Sequence, residues 1–307
     1  MTGELLSLSV AFMWTFTAIF AEIASKHLGP LTLNVWRMLL SIFFLGIVLC
    51  YFCGAPWPQF TSPSVWGWFL LSGFMGFVFG DACLFHSYII IGSRFAQLFM
   101  TLASPFAAFT AWLLMGEQMT WISLLGMIVT LTGIGISIMG RSEKGHRNLK
   151  LPLRGILLGI GAGMGQGVGL VLSKQGMQTY SQIIPAEASD VVQMIPFAGT
   201  QIRAMMGLIG FGIALIMTRQ VKTLSRAWTD VKGGAAALGT ILLGPFLGVA
   251  CSLIAVNMTH AGVAQTLMSL TPVFILWPAH LIFGTKITRQ EVLGAMIAVL
   301  GASLFFL

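Results

Sequence analysis

The sequence predicts an all-α polytopic membrane protein, with ten transmembrane helices arranged as two inverted five-helix repeats. Three observations carry this. Of the 307 residues, 57% are hydrophobic and only 8% charged, against about 25% charged in soluble domains, so a polar surface for a soluble globule is missing. Mean hydropathy is +0.91. The chain divides into apolar stretches of roughly 20 residues, the length that spans a bilayer. Finally, the second half repeats the first in register.

The apolar stretches fall between polar or Pro/Gly breaks, at residues 5–25, 33–53, 65–88, 95–115, 121–139, 153–173, 197–218, 234–257, 263–283 and 292–307. Span one contains Trp14 and Glu22, span two Arg37, and span three Gly76, Gly80, Asp81, His86 and Tyr88. Span four begins near Gln97 and contains Pro105; span five has Gly126 and Gly133. The polar run 140–150 separates spans five and six and is expected to link the halves, giving units 1–140 and 153–307 joined by 141–152. Span six is glycine-rich, with Gly159, Gly163 and Gly167 spaced by four, a row that allows close backbone approach. Residues 175–193 read as a polar connection, either a short amphipathic helix or a lid. Spans seven to ten contain Arg203, Asn257, Gln265 with Pro272, and Gly294 with Gly301. Pro105 and Pro272 are expected to free backbone carbonyls within their helices. Glu4 in place of a basic leader, before a long apolar run, argues against a cleaved signal peptide.

A shift of 168 residues places Gly76, Gly80, Ala82 and Cys83 on Gly244, Gly248, Ala250 and Cys251, and Gln97 on Gln265. The same shift places Gly116, Gly126 and Gly133 on Gly284, Gly294 and Gly301, without a gap. Apolar composition alone would not align five glycine pairs, a glutamine pair and a cysteine pair. A shift of 166 puts Arg37 on Arg203 and Gly46 on Gly212. Five spans per half is an odd number, so the halves enter the membrane in opposite senses. Secondary transporters that work by alternating access are commonly built this way.

Ionisable residues inside a membrane are functional candidates by default. Asp81 stands foremost: its repeat equivalent is Val249, which points to a task performed by one half only. It reads as a proton or cation site, as the counter-ion of a cationic cargo, or as a structural hydrogen-bonding group facing His86 or Tyr88. Glu22 precedes Lys26 by four residues, the spacing of a local ion pair, yet it shares a helical face with Trp14. Arg37 and Arg203 read either as anchors near helix ends or as ligands for an anionic group. Gln97 and Gln265 suit cavity lining or interhelical bonding. Asn257 and Gln166 are single polar residues in apolar helices. Trp14, Phe85, Tyr88, Phe99 and Trp277 are candidate walls of an apolar pocket. Cys50 and Cys53 read as packing residues or a redox pair. No phosphate-binding loop, zinc-protease motif or nucleophile elbow occurs in the sequence.

The run from Glu117 to Ile136, with Gly126 and Gly133, resembles the signature of the EamA branch of the drug/metabolite transporter superfamily. Trp14, Arg37 and Pro105 match the pattern, and Pro272, Gly284, Gly294 and Gly301 repeat it. Thr15 and Thr285 depart from it, standing where a Gly and an acidic residue are usual. The resemblance covers the whole chain. It implies a transporter of small organic metabolites, amino acids and drugs among them, with span one lining the cavity.

Thirteen Lys and Arg lie in loops after odd-numbered spans and one, Lys174, on the opposite side. The positive-inside rule then makes the odd loops cytoplasmic and both termini external, whereas the resembled family is thought to keep its termini cytoplasmic. The net charge of +7 thus sets topology, and no nucleic-acid partner is expected. The sequence-level expectation is a secondary active exporter of metabolites such as amino acids, in a membrane that for a bacterial source is the cytoplasmic (inner) one. Substrate contacts are expected from Trp14, Asp81, Tyr88, Gln97, Gln265 and Asn257, and coupling, with protons as the ion, from Asp81 and Glu22. No cofactor or metal is expected, the partners are the lipid bilayer and a small molecule, and the assembly is a monomer or homodimer. The alternatives are an uncoupled exchanger of metabolites or drugs and a membrane-embedded lipid-modifying enzyme.

Overall fold

The computed structural model describes residues 2–116, 121–141, 147–149, 151–185, 187–248, 251–252, 255, 267–284 and 287–304. Apart from a three-residue antiparallel ladder, β1 (Met139–Arg141) with β2 (Arg147–Leu149), the regular elements among these residues are helical. Five helical stretches are long and apolar enough to cross a membrane, and shorter apolar helices accompany them. The expected positions Asn257 and Gln265, and Glu117 of the resembled signature, lie outside the described residues.

Helix α1 (Thr2–Leu28) is followed at once by α2 (Pro30–Cys53), which starts on a proline, where a missing N–H costs nothing. Gly54, in the left-handed conformation, ends α2 by donating its N–H to the Cys50 carbonyl. Helix α3 (Pro63–Gly73) is capped by Ser62 Oγ, which accepts from the Val65 N–H. It runs through a π-helical stretch, Phe74–Asp81, into α4 (Ala82–Met100). The stretch Pro63–Met100 has 38 residues, about 57 Å at 1.5 Å per residue, nearly twice a hydrocarbon core. Gly92 breaks it with φ 78° and ψ 161°, a conformation closed to side-chain-bearing residues. The connection expected over residues 89–94 is therefore one glycine.

Helix α5 (Ala103–Met115) follows a turn at Thr101–Leu102 and ends at left-handed Gly116; α6 (Trp121–Ile138) follows. Pro105 thus sits in the first turn of a new helical piece rather than within a continuous helix. Pro272 does the same in α12 (Thr271–Phe274), after Ser269 and Leu270. The chain breaks just ahead of each proline, because its ring crowds the preceding turn.

Helix α7 (Leu153–Ser181) runs eight residues past the expected end at Ser173. Fully buried Tyr180 explains the extension: its hydroxyl donates to the Gln59 carbonyl, and Gly176 lies against Phe69. The polar connection 175–193 shrinks accordingly, leaving the five-residue helix α8 (Ser189–Gln193) before α9 (Ile195–Met217). Further on come α10 (Arg226–Thr229), α11 (Val231–Ile241) and a second π-helical stretch, Leu242–Phe246. This begins 168 residues after the first. Helices α13 (Leu276–Phe283) and α14 (Arg289–Ser303) complete the described chain, and α13 ends at left-handed Gly284, 168 residues after Gly116.

Helices pack in antiparallel pairs through small residues. A Cβ on Gly133 would strike the backbone of Ala298 and Gly294, and one on Gly301 would strike Thr130 and Gly126. These two contacts exchange when each residue is replaced by its repeat equivalent. Helices α2 and α9 pair similarly, with Gly46 against Gln201 and Gly207 against Met38. In the α3–α7 pair a Cβ on Gly165 would lie 2.6 Å from Gly80 Cα, and Ser72 Oγ donates to the Gly169 carbonyl at 2.6 Å. Its counterpart is the α1–α11 pair, where Gly239 meets Phe20 and Gly233 meets Leu28. The largest buried apolar cluster gathers residues of α1, α4, α7, α11, α13 and α14.

Candidate functional site

Asp81 ends the first π-helical stretch and is 1% exposed. Single-turn π segments recur at functional sites because they re-aim side chains within a continuous helix. Its Oδ2 accepts from Arg37 Nη1 at 2.6 Å and its Oδ1 from Gln166 Nε2 at 2.8 Å. The three residues come from three different helices. The interaction is long-range, and neither His86 nor Tyr88 bonds the carboxylate: His86 Nδ1 is 2.7 Å from the Ala82 carbonyl of its own helix. The glycines of α7 make the Gln166 contact possible. Gly165 and Gly169 bring α7 onto Gly80 and Gly76, so the Gln166 amide reaches both Asp81 and, at 3.1 Å, the Gly76 carbonyl.

Arg37 is also 3.3 Å from Asn34 Oδ1, and its guanidinium stands 5.0 Å from the Phe85 ring and 6.0 Å from Phe77. Arg203 approaches the same place from α9. Its guanidinium lies 4.7 Å from the Phe77 ring, and Nη2 occupies the space left by the missing Cβ of Gly76. The two equivalent arginines therefore share one aromatic ring, with Asp81 in electrostatic range of both. Arg37 is a partner of the membrane carboxylate rather than a helix-end anchor.

The other expected residues fall into separate groups. Tyr88, 2% exposed, accepts from Gln97 Nε2 at 2.8 Å and stacks edge-on against Phe85 at 5.4 Å, which places both one aromatic ring away from Arg37. Trp14 packs its indole against Gly248 and the cluster of Val10, Ala255 and Met268. Phe99 is buried against Gly159, whereas Trp277 is 69% exposed. Glu22 is 3% exposed but belongs to another assembly. It pairs with Lys26 Nζ at 2.5 Å and accepts the Ser93 N–H at 2.6 Å, so it caps the helix that restarts after Gly92. All four cysteines are free. Among the described residues no group of three His, Cys, Asp or Glu side chains is placed to hold a metal ion.

Sequence reasoning noted Gln166 but gave it no role. A single amide in a helix of glycines was the available signal. The repeat equivalence of Arg37 and Arg203 signalled that they belong together. That one of them holds Asp81 follows only from the packing of α2 on the first π-helical stretch.

Known proteins agree with this architecture. The EamA-like transporter family matches residues 1–139 and again 153–307. A Bacillus subtilis (strain 168) protein named "Uncharacterized transporter YoaV" is 26% identical over 132 residues, which is 43% of this chain and 45% of that protein. The chain thus spans under half the length of that relative. A solved structure described as "Crystal structure of protein" superposes with a TM-score of 0.56 at 14% identity, over 99% of this chain and 96% of the other, and shows a shared fold. Matched by one family in each half, and built from apolar helices that enclose a buried charge cluster, this chain belongs to the EamA-like transporter family of multi-pass membrane proteins.

Proposed function

We propose that the protein is a secondary transporter that moves small organic metabolites, the class that includes amino acids, outward by alternating access. The observation that carries this reading is the buried cluster of Asp81, Arg37, Gln166 and Arg203, contributed by helices of both halves. Charges held in lipid are costly and are retained where a solute or ion must be bound. The proposed architecture is ten spans in two inverted repeats, units 1–140 and 153–307. The reciprocal glycine contacts of α6 with α14, the matching π-helical stretches and the matching left-handed caps support it. In such a pair of halves, one side closes as the other opens around a fixed central site.

Asp81 is assigned the coupling role, with protons as the ion. Gln97 and Tyr88 form the adjoining wall, and Gln265 and Asn257 supply the second half's contribution. Trp14 stands where α1 meets the second half. Glu22 accepts the Ser93 N–H and pairs with Lys26, which supports a role at the turn within α4 ahead of the coupling role expected for it. The charge bias of thirteen to one supports cytoplasmic odd loops, in the inner membrane where the source is bacterial. One observation favours uncoupled exchange as the second reading: the Asp81 carboxylate already has two partners, so its proton is not required for it to remain buried.

Counterflow in proteoliposomes separates the two. Asp81→Asn is expected to abolish the pH-gradient-driven component of transport. Proton dependence that survives this substitution would refute the coupling role and leave exchange.

A further inference from the structure

The charge cluster is unbalanced. Arg37 and Arg203 are permanently cationic, and among the described residues Asp81 is the one carboxylate in range. Asp81 is taken by Arg37. Among the described residues none accepts a hydrogen bond from the Arg203 guanidinium, and its Nε is buried without a partner. The segment 249–266, most of which lies outside the described residues, contains no Asp or Glu, so it brings no anion. A buried donor left unpaired in a native protein calls for an explanation, and an uncompensated cation in lipid does so more strongly.

Arg203 nevertheless retains some accessible surface. Its planar fork of N–H donors fits the two oxygens of a carboxylate. The imbalance is a single positive charge, which a monoanion cancels. A phosphate monoester, near −2, would overcompensate, and a zwitterion would leave the excess in place. The Phe77 and Phe85 rings beside the arginines suit an apolar body on the ligand.

We infer that Arg203 is the receptor for the carboxylate of a monoanionic organic acid, and that Asp81 and the bound acid share the two arginines between them. This rests on the transporter reading above and narrows its cargo from metabolites in general to monocarboxylates. Asp81 is then the internal anion that keeps Arg37 satisfied while the cargo occupies Arg203.

The test uses purified full-length protein in detergent at constant ionic strength. Tryptophan fluorescence follows thermal unfolding with acetate, lactate, hexanoate or benzoate, and with benzamide, phenylalanine and phenyl phosphate as comparisons. At least one monocarboxylate is expected to raise Tm and the comparisons to leave it unchanged. Arg203→Gln should weaken the acid's apparent affinity by roughly tenfold or more, and Arg203→Lys should restore part of it. Without ligand, Arg203→Gln should melt at or above the wild-type temperature, because it removes an unbalanced charge. Arg37→Gln should melt below it, because it strands Asp81. The inference is overturned by Arg203→Gln melting as low as Arg37→Gln, by benzamide, phenylalanine or phenyl phosphate matching the acids, or by no acid shifting Tm. Counterflow separates the two levels. Acid binding without flux sinks the transporter reading and spares Arg203; flux of neutral or zwitterionic solutes without acid binding does the reverse.

Discussion

Asp81 and Glu22 are both carboxylates buried to within a few per cent, in helices of the same half, yet they are used in opposite ways. Glu22 sits near the end of α1 among matched partners. Lys26 lies one turn along the same helix, and Ser93 supplies a backbone N–H. The next residue, Arg94, pairs at 2.9 Å with Glu291 in the first turn of α14. At this end each of these carboxylates has its own cation, and the assemblies tie α1 to α4 and α4 to α14. Among the described residues around Asp81 two cations face one anion, and the partners come from separate helices. Matched pairs hold segments together. The unmatched cluster is held in place by the surrounding packing, and in the reading proposed above its spare cation is what a solute would engage.

The sharpest way to break this contrast is to remove Arg37. Arg37→Gln leaves a buried carboxylate without its cation, a change that costs about 3–5 kcal/mol in comparable sites. The double variant Arg37→Gln/Asp81→Asn should regain most of that loss, as read from denaturant or thermal unfolding in detergent. Equal stability of the single and double variants would mean that the pair is not the interaction holding α2 to the π-helical stretch. Glu22→Gln is expected to cost less, about 1–3 kcal/mol, since the amide oxygen still accepts from Ser93 while Lys26 reaches solvent. Its proton dependence in counterflow should match the wild type. A lost pH response in Glu22→Gln would return Glu22 to the transport machinery and erase the contrast.

What the sequence made legible follows from the range of each interaction. The apolar spans, the reciprocal glycines and the Glu22–Lys26 pair are local or periodic, and hydropathy, the 168-residue register and the four-residue spacing expose them. The π-helical stretch before Asp81 was invisible, because one extra residue per turn leaves an apolar run apolar. The length of α7 was misjudged for a related reason. Gln175, Gln178 and Thr179 look like a loop, and only the packing of Gly176 on Phe69 and the burial of Tyr180 keep them helical. The Asp81–Arg37–Gln166 contacts span 44 and 85 residues of chain. Sequence reasoning could nominate each member but could not join them, since the joining depends on how closely two glycine-lined helices approach.

The end assembly also makes the smallest prediction, one that runs outside the membrane-spanning segments. Asp230 caps α11 by accepting the Gly233 N–H at 2.9 Å, and its other oxygen is 2.8 Å from His27 Nδ1 at the end of α1. The Gly233 hydrogen bond first, and His27 second, hold its carboxyl below the ordinary value of 3.8. A carboxyl whose folded value is depressed adds stability that is fully present above the unfolded value and is lost as pH falls through the folded one. Asp230→Asn keeps a capping side chain but removes the titrating charge. The difference in Tm between wild type and this variant should therefore be present at pH values above about 4 and shrink as pH falls below it. Because the site is solvent-exposed, raised salt should reduce the difference at every pH. A gap that closes already above pH 5, or one that persists to pH 2, would assign the tie between α1 and α11 to something other than the Asp230 carboxylate.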